Sequence, residues 1–253
     1  MKRSKCIIAL AIAFSLSTVV AQDFNKNYNL PPDGRIVISL LRGDIKISGY
    51  EGKEIEVVVV NKGSDRDLVE IQDSSFGNRI HLIPQYKQYK PFQDVSVDFE
   101  IRVPKTVRYN FEINVTSGKI TVYDVMGFIG LESRSSSIEL RDVQGIIKAN
   151  SINGNIICNL SKTFDRNDIR LSSNSGNVSV QAPADLSARV YMESSAGRLK
   201  TDFPLEIQGR RYGQGQTATG KLGAGNQFLS IRSAWGSVNL DSITKRASGN
   251  KEN

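Results

Sequence analysis

Histidine is almost missing from this 253-residue chain: there is one, His81. A Ser-His-Asp or Cys-His machine would have a single candidate base, and most zinc chemistry is excluded. Cysteine is nearly as scarce, with only Cys6 and Cys158, so at most one disulfide and no cysteine cluster can form. Past the first twenty residues no apolar run approaches the roughly 20 residues of a membrane-spanning helix. Neither sign of charge dominates strongly, with 33 Lys and Arg against 26 Asp and Glu. What is present is ordinary: 39% hydrophobic and 23% charged residues, enough for a core and too apolar for wholesale disorder.

The first residues read as a targeting signal. Lys2, Arg3 and Lys5 precede an apolar stretch from Cys6 to about Leu16, and small or β-branched residues lead to Ala21. This is the layout of a secretory signal peptide spanning residues 1–21. Its removal takes three basic residues and no acids, leaving 30 against 26, a net charge of +4. No clustered basic face remains to suggest a nucleic-acid partner. Cys158 would then be alone, without an intramolecular disulfide, and no transmembrane segment would follow. The expected layout is a signal peptide, one domain over 22–243, and a polar disordered tail over 244–253.

A repeat organises the domain. Aligning on Gly43, Gly118, Ser136, Gly154, Gly176, Gly197 and Gly236 brings seven copies of one pattern into register. Seven residues before this pivot stand Ile36, Phe111, Ile129, Ile147, Ile169, Val190 and Leu229. Two after it stand Ile45, Ile120, Ile138, Ile156, Val178, Leu199 and Val238. The positions five before and four after are likewise apolar, Thr201 excepted. Apolar residues two apart with polar residues between them mark strands with one buried face. In five copies the residue three before the pivot is serine: Ser133, Ser151, Ser173, Ser194 and Ser233. Such serines either hydrogen-bond along a corner or simply favour a turn.

Successive pivots at 118, 136 and 154 are 18 residues apart, with Gly127 and Gly145 midway. Each copy is then two short strands and two bends. The few apolar residues of one copy cannot offset the entropy of ordering it, so copies must stack on a shared core. The fold class is all-β, a β-solenoid of two-strand repeats, with an antiparallel β-sandwich as the alternative. A less regular β region covers residues 53–103, with strands over Lys53–Val60, Asp67–Asp73, Arg79–Ile83 and Val95–Val103. Pro84 and Pro91 bracket one loop, and Gly209–Gly225 forms a second.

Candidate ligand contacts sit on those loops. Tyr86, Lys87, Tyr89, Lys90 and Phe92 interleave rings with cations in the first, and Arg210, Arg211 and Tyr212 cluster in the second. The alternative role for the rings is to cover the core. Gly215–Lys221 fits the opening of a phosphate-binding loop, but Leu222 stands where a magnesium-binding hydroxyl belongs, so nucleotide binding is set aside. Asp124 and Asp142 lie 18 apart beside turns, where a turn role is simpler than a cation site. Cys158 falls on an inward position and His81 on an outward one. No catalytic residue, cofactor site or metal site is expected.

The run Val97–Pro104 leads into Asn114-Val-Thr-Ser-Gly118-Lys-Ile-Thr-Val122, and the chain closes with Gly220–Gly225 and Leu229–Ser233. In these motifs it resembles the bacterial "putative adhesin" family of domains of unknown function, over roughly residues 35–241. Ser136 departs from the family's pivot glycine. The resemblance implies an exported, β-helix-like envelope domain, periplasmic or at the cell surface, with no established reaction and no active site to carry over. The expected function is a non-catalytic adhesin or interaction module. The alternatives are a periplasmic scaffold or envelope-stress partner, or a polysaccharide-active enzyme. The expected partner is a protein or glycan of the envelope or extracellular matrix, and open solenoid ends make a homodimer an option.

Overall fold

The computed structural model describes residues 23–88, 93–161, 167–209 and 213–243. The expected signal peptide over 1–21 and the expected tail over 244–253 fall outside the described residues. Among the described residues one short 3-10 turn, Arg66–Leu68, accompanies a continuous 19-stranded sheet.

The strands before the first bend-rich coils are β1 (Phe24–Tyr28), β2 (Arg35–Arg42), β3 (Ile45–Tyr50), β4 (Ile55–Lys62), β5 (Val69–Asp73), β6 (Arg79–Tyr86) and β7 (Ser96–Pro104). Then come two long strands that run through the pivot, β8 (Arg108–Tyr123) and β9 (Met126–Arg141). They are followed by β10 (Gln144–Ser151), β11 (Ile156–Asn159), β12 (Asp168–Ser173), β13 (Val178–Pro183), β14 (Ala188–Ser194) and β15 (Leu199–Thr201). The described residues end with β16 (Ile207–Gly209), β17 (Gln216–Lys221), β18 (Gln227–Ser233) and β19 (Val238–Ile243).

The repeat register read from the sequence is the pairing register of the fold. Before the pivot, Ile36 pairs with Phe111, Phe111 with Ile129, Ile129 with Ile147 and Ile147 with Ile169. Past the pivot, Ile45, Ile120, Ile138, Ile156, Val178, Val238 and Leu199 form a second parallel column. All of these side chains are buried and share one core. Two parallel stacks joined by a corner in every coil make this a β-solenoid; the sandwich alternative would need antiparallel layers and is excluded.

Chain order and stacking order part at the end. Ile169 pairs with Leu229, and Leu229 in turn with Val190. The last coil, β18–β19, therefore lies between β12–β13 and the earlier coil β14–β15. The pivots pack tightly along the stack. A Cβ on Gly154 would sit 1.9 Å from the Ser136 carbonyl oxygen, and one on Gly176 2.0 Å from that of Gly154. Only glycine permits this approach.

Antiparallel strands close both ends. At one, β4 pairs with β7 and β1 with β4, while β5 and β6 form a hairpin beside β2. Asp73 joins the two flaps by accepting hydrogen bonds from Lys26 Nζ at 2.6 Å and the Tyr28 hydroxyl at 2.8 Å. Burial alone would raise the Asp73 carboxyl, but hydrogen bonds from Lys26, Ser75 and Tyr28 outweigh it and hold the group well below the usual carboxylate range. At the other end, β17 runs antiparallel to β14 and carries β16.

Two sequence expectations are corrected here. The stretch Gly209–Gly225 is not all loop: it contains β17, because the outer edge of β14 requires a hydrogen-bonding partner and Ala218 supplies an inward contact. Pro84 does not open a loop either; it is buried within β6. Lys87 N–H and His81 C=O bond toward β5, so by alternation the Pro84 nitrogen faces the opposite edge. Pairing with β2 stops at Leu82, so on that edge its missing N–H leaves no gap in the ladder.

Candidate functional site

One corner of the solenoid carries both a hydrogen-bond ladder and an extended groove. In three coils the serine three residues before the pivot accepts from its own pivot and donates to the pivot of the neighbouring coil. Ser173 Oγ accepts from Gly176 N–H at 2.8 Å and donates to the Gly154 carbonyl at 2.9 Å. Ser233 does the same between Gly236 at 2.9 Å and Gly176 at 2.7 Å, and Ser194 between Gly197 and Gly236, both at 2.8 Å. Of the two readings open at the sequence, the serines are corner bonds. A second ladder follows the pivot: Asn155 Oδ1 accepts from Asn177 N–H, and Asn177 Oδ1 from Ser237 N–H, each at 2.8 Å.

Above the serines lies an open groove of about 910 Å³ running along the stack. Its floor includes Val115, Ser133, Ser151, Ser173 and Ser233. One rim is the column Asn114, Glu132, Asn150, Ser172, Arg232, Glu193, in stacking order. The other rim carries Leu41, Thr116, Arg134, Ile152 and Asn174. Glu132 and Glu193 offset Arg134 and Arg232, so the lining has no net charge. Three of the exposed large apolar side chains belong to this corner: Leu41, Ile152 and Trp235, the last 70% exposed.

Of the sequence-derived candidates, Tyr86 and Lys87 are among the described residues. Tyr86 is half-buried on the core, its phenol raised by burial, and with Pro84 it walls one end of the groove. It covers the core, the alternative role named for these rings, rather than projecting from a loop. Lys87 is exposed and pairs with Glu70 at 3.1 Å. Tyr89, Lys90, Phe92, Arg210, Arg211 and Tyr212 lie outside the described residues. The rim residues escaped the sequence reading because they vary in type from coil to coil; only their spacing from the pivot unites them.

The remaining singled-out residues are structural. Cys158 is fully buried, and burial pushes its thiol up to about 12, leaving it unreactive. His81 is partly exposed, and burial followed by the nearby Arg79 charge lowers its pKa. Asp124 and Asp142 adopt φ of 54° and 51° at turns, and Asp142 accepts from Ser161 N–H at 2.6 Å. Gln216–Lys221 is strand, not a loop opening a helix. Among the described residues no group of three or more His, Cys, Asp or Glu could hold a metal ion, and no helix is long and apolar enough to cross a membrane.

A capped β-solenoid with glycine pivots and a serine ladder is the class of protein these features define. The chain belongs to the Toastrack DUF4097 family, whose pattern matches residues 34–241. Its fold is similar to that of a "putative cell adhesion protein" from Clostridium sporogenes, at 13% identity and a TM-score of 0.50, covering 87% of this chain and 99% of that one. A "putative adhesin" from Bacteroides fragilis aligns over 87% of this chain and 96% of that one, at 12% identity and a TM-score of 0.30. No curated protein matches the chain in sequence.

Proposed function

We propose that this chain is an exported, non-catalytic adhesin-like module that holds its ligand along the corner groove. The observation that carries the reading is the groove itself, a long, open, charge-balanced channel laid over a rigid hydrogen-bonded floor. A rigid scaffold presenting variable exposed side chains suits recognition. Glycosidic chemistry fits poorly there. Glu132 and Glu193 are four strand spacings apart along the rim, roughly 19 Å at about 4.8 Å each. Acid and nucleophile or base must stand within about 5–9.5 Å. Export rests on the basic and apolar pattern of residues 1–21.

Beads coated with the protein are expected to adhere to bacterial envelope material or extracellular matrix. Ser172→Trp, which fills the groove at mid-length, should reduce adhesion several-fold, whereas Ser179→Trp on the second stack should not. Equal adhesion by both variants and the parent would remove the groove from the function. Mass spectrometry of the secreted or periplasmic protein should find Gln22 at its N-terminus.

A further inference from the structure

Resting on the reading of the groove as the contact surface, we infer that its ligand is an uncharged linear polysaccharide lying parallel to the stacking axis. Four features of the corner lead to this chemistry. First, the backbone is already spent. Ile152 N–H bonds to Ser133 C=O at 3.0 Å, Asn174 N–H to Ser151 C=O at 3.0 Å, and Ala234 N–H to Ser173 C=O at 3.1 Å. An extended peptide gains affinity from a sheet edge with vacant N–H and C=O groups, and at these three coils the corner groups are already paired with one another. Recognition must run through side chains.

Second, the lining is charge-balanced, with Arg134 and Arg232 against Glu132 and Glu193. An anionic polymer such as a nucleic acid or acidic glycan would meet a carboxylate wherever it met a guanidinium, without the basic excess that such polymers require. Third, amides and hydroxyls recur coil by coil: Asn114, Asn150 and Ser172 on one rim, Thr116 and Asn174 on the other. Neighbouring strands are about 4.8 Å apart, so these groups form a regular row of donors and acceptors. A polymer that displays hydroxyls at every unit along one axis can meet such a row repeatedly.

Fourth, the same corner exposes Trp235, with Ile152 and Leu41 farther along it. The Trp235 backbone N–H bonds to Asn174 C=O at 2.9 Å, which places the residue one position beyond the rim residues Ala234 and Asn174. An indole held in water beside polar rims offers a flat apolar face to the C–H face of a sugar ring. Alternating polar rows and apolar shelves match the two faces of a pyranose chain.

Affinity electrophoresis tests this, with the protein run through gels containing laminarin, xyloglucan, dextran or mannan as neutral probes. Polygalacturonate and heparin serve as anionic probes, and reduced carboxymethylated casein as an extended polypeptide. At least one neutral polymer is expected to retard the protein. Trp235→Ala should weaken that retention about tenfold, and Trp235→Phe should restore most of it. Asn150→Ala should weaken it as well. Each variant is checked by its thermal transition, which should match the parent because both side chains are exposed.

Retention by anionic polymers or casein alone, or by no polymer, overturns the inference. So does retention by a neutral polymer that neither Trp235→Ala nor Asn150→Ala alters, since the contact would then lie elsewhere. If Ser172→Trp abolishes bead adhesion while no neutral polymer is held, the polysaccharide inference fails and the groove reading stands. If Ser172→Trp leaves adhesion intact, the groove reading itself fails.

Discussion

At the corner between β12 and β13, one hydroxyl decides whether two backbone groups have partners. Ser173 Oγ satisfies the Gly176 N–H and the Gly154 carbonyl together. Ser173→Ala strands both, and an unsatisfied buried group costs about 1–3 kcal/mol. Ser136 is the contrasting case: it replaces a pivot glycine, is fully buried, and its own Oγ has no hydrogen-bond partner. Ser136→Ala removes a hydroxyl that contributes nothing and should be neutral or slightly stabilising. Urea unfolding of the two variants should therefore separate them clearly; equal losses would show that the ladder carries no stability. The serine period was legible in the sequence, because residues three before the pivot share one identity in five copies. The bonding was not, since periodicity alone does not say which carbonyl lies beneath which hydroxyl.

At the scale of the element, alternation is the whole instruction. In β12, Ile169, Leu171 and Ser173 point inward, and Asp168 and Arg170 face out, where they pair at 3.0 Å. The strand is hydrogen-bonded on both sides, by β10 and β18, so Leu171 has no route to water. Leu171→Asp buries an unpaired carboxylate at a cost of several kcal/mol, and soluble folded protein should be lost. Arg170→Ala on the same strand should leave the thermal transition within about half a kcal/mol of the parent. A cooperative, unshifted melt for Leu171→Asp would mean that the inward register is misplaced. Strands of this kind announced themselves because each has two or more inward apolar residues. β17 did not, as Gln216–Lys221 turns only Ala218 fully inward and exists chiefly to satisfy the edge of β14. Pro84 misled for the opposite reason: proline marks a loop in most sequences, yet here its nitrogen meets an edge where no partner follows.

Across the whole molecule, the number of coils and their register could be read from the chain, but their order could not. Every coil presents the same apolar faces, so nothing in the pattern names its neighbour. The one hint was the 39-residue step between Gly197 and Gly236, long enough for the β16–β17 excursion around the capped end. Because β18–β19 lies inside the stack, deleting residues 227–253 removes contacts on two sides at once. It strips β12 and β13 of their outer partners, leaves β14 paired with β17 alone, and leaves β15 without its ladder partner β19. The truncated protein should lose its cooperative thermal transition. A normal melt would mean that β14–β15 can dock directly on β12–β13, making the intercalated coil dispensable.

That intercalation also governs how the protein would bear a pull. A solenoid whose terminus lies on an outer coil can be peeled one turn at a time. Tension applied through the C-terminus of this one must drag β19 out from between β13 and β15, loading both flanking ladders together. For an adhesive module of the kind proposed, the seam least easily ripped is the one sewn last, into the middle of the cloth.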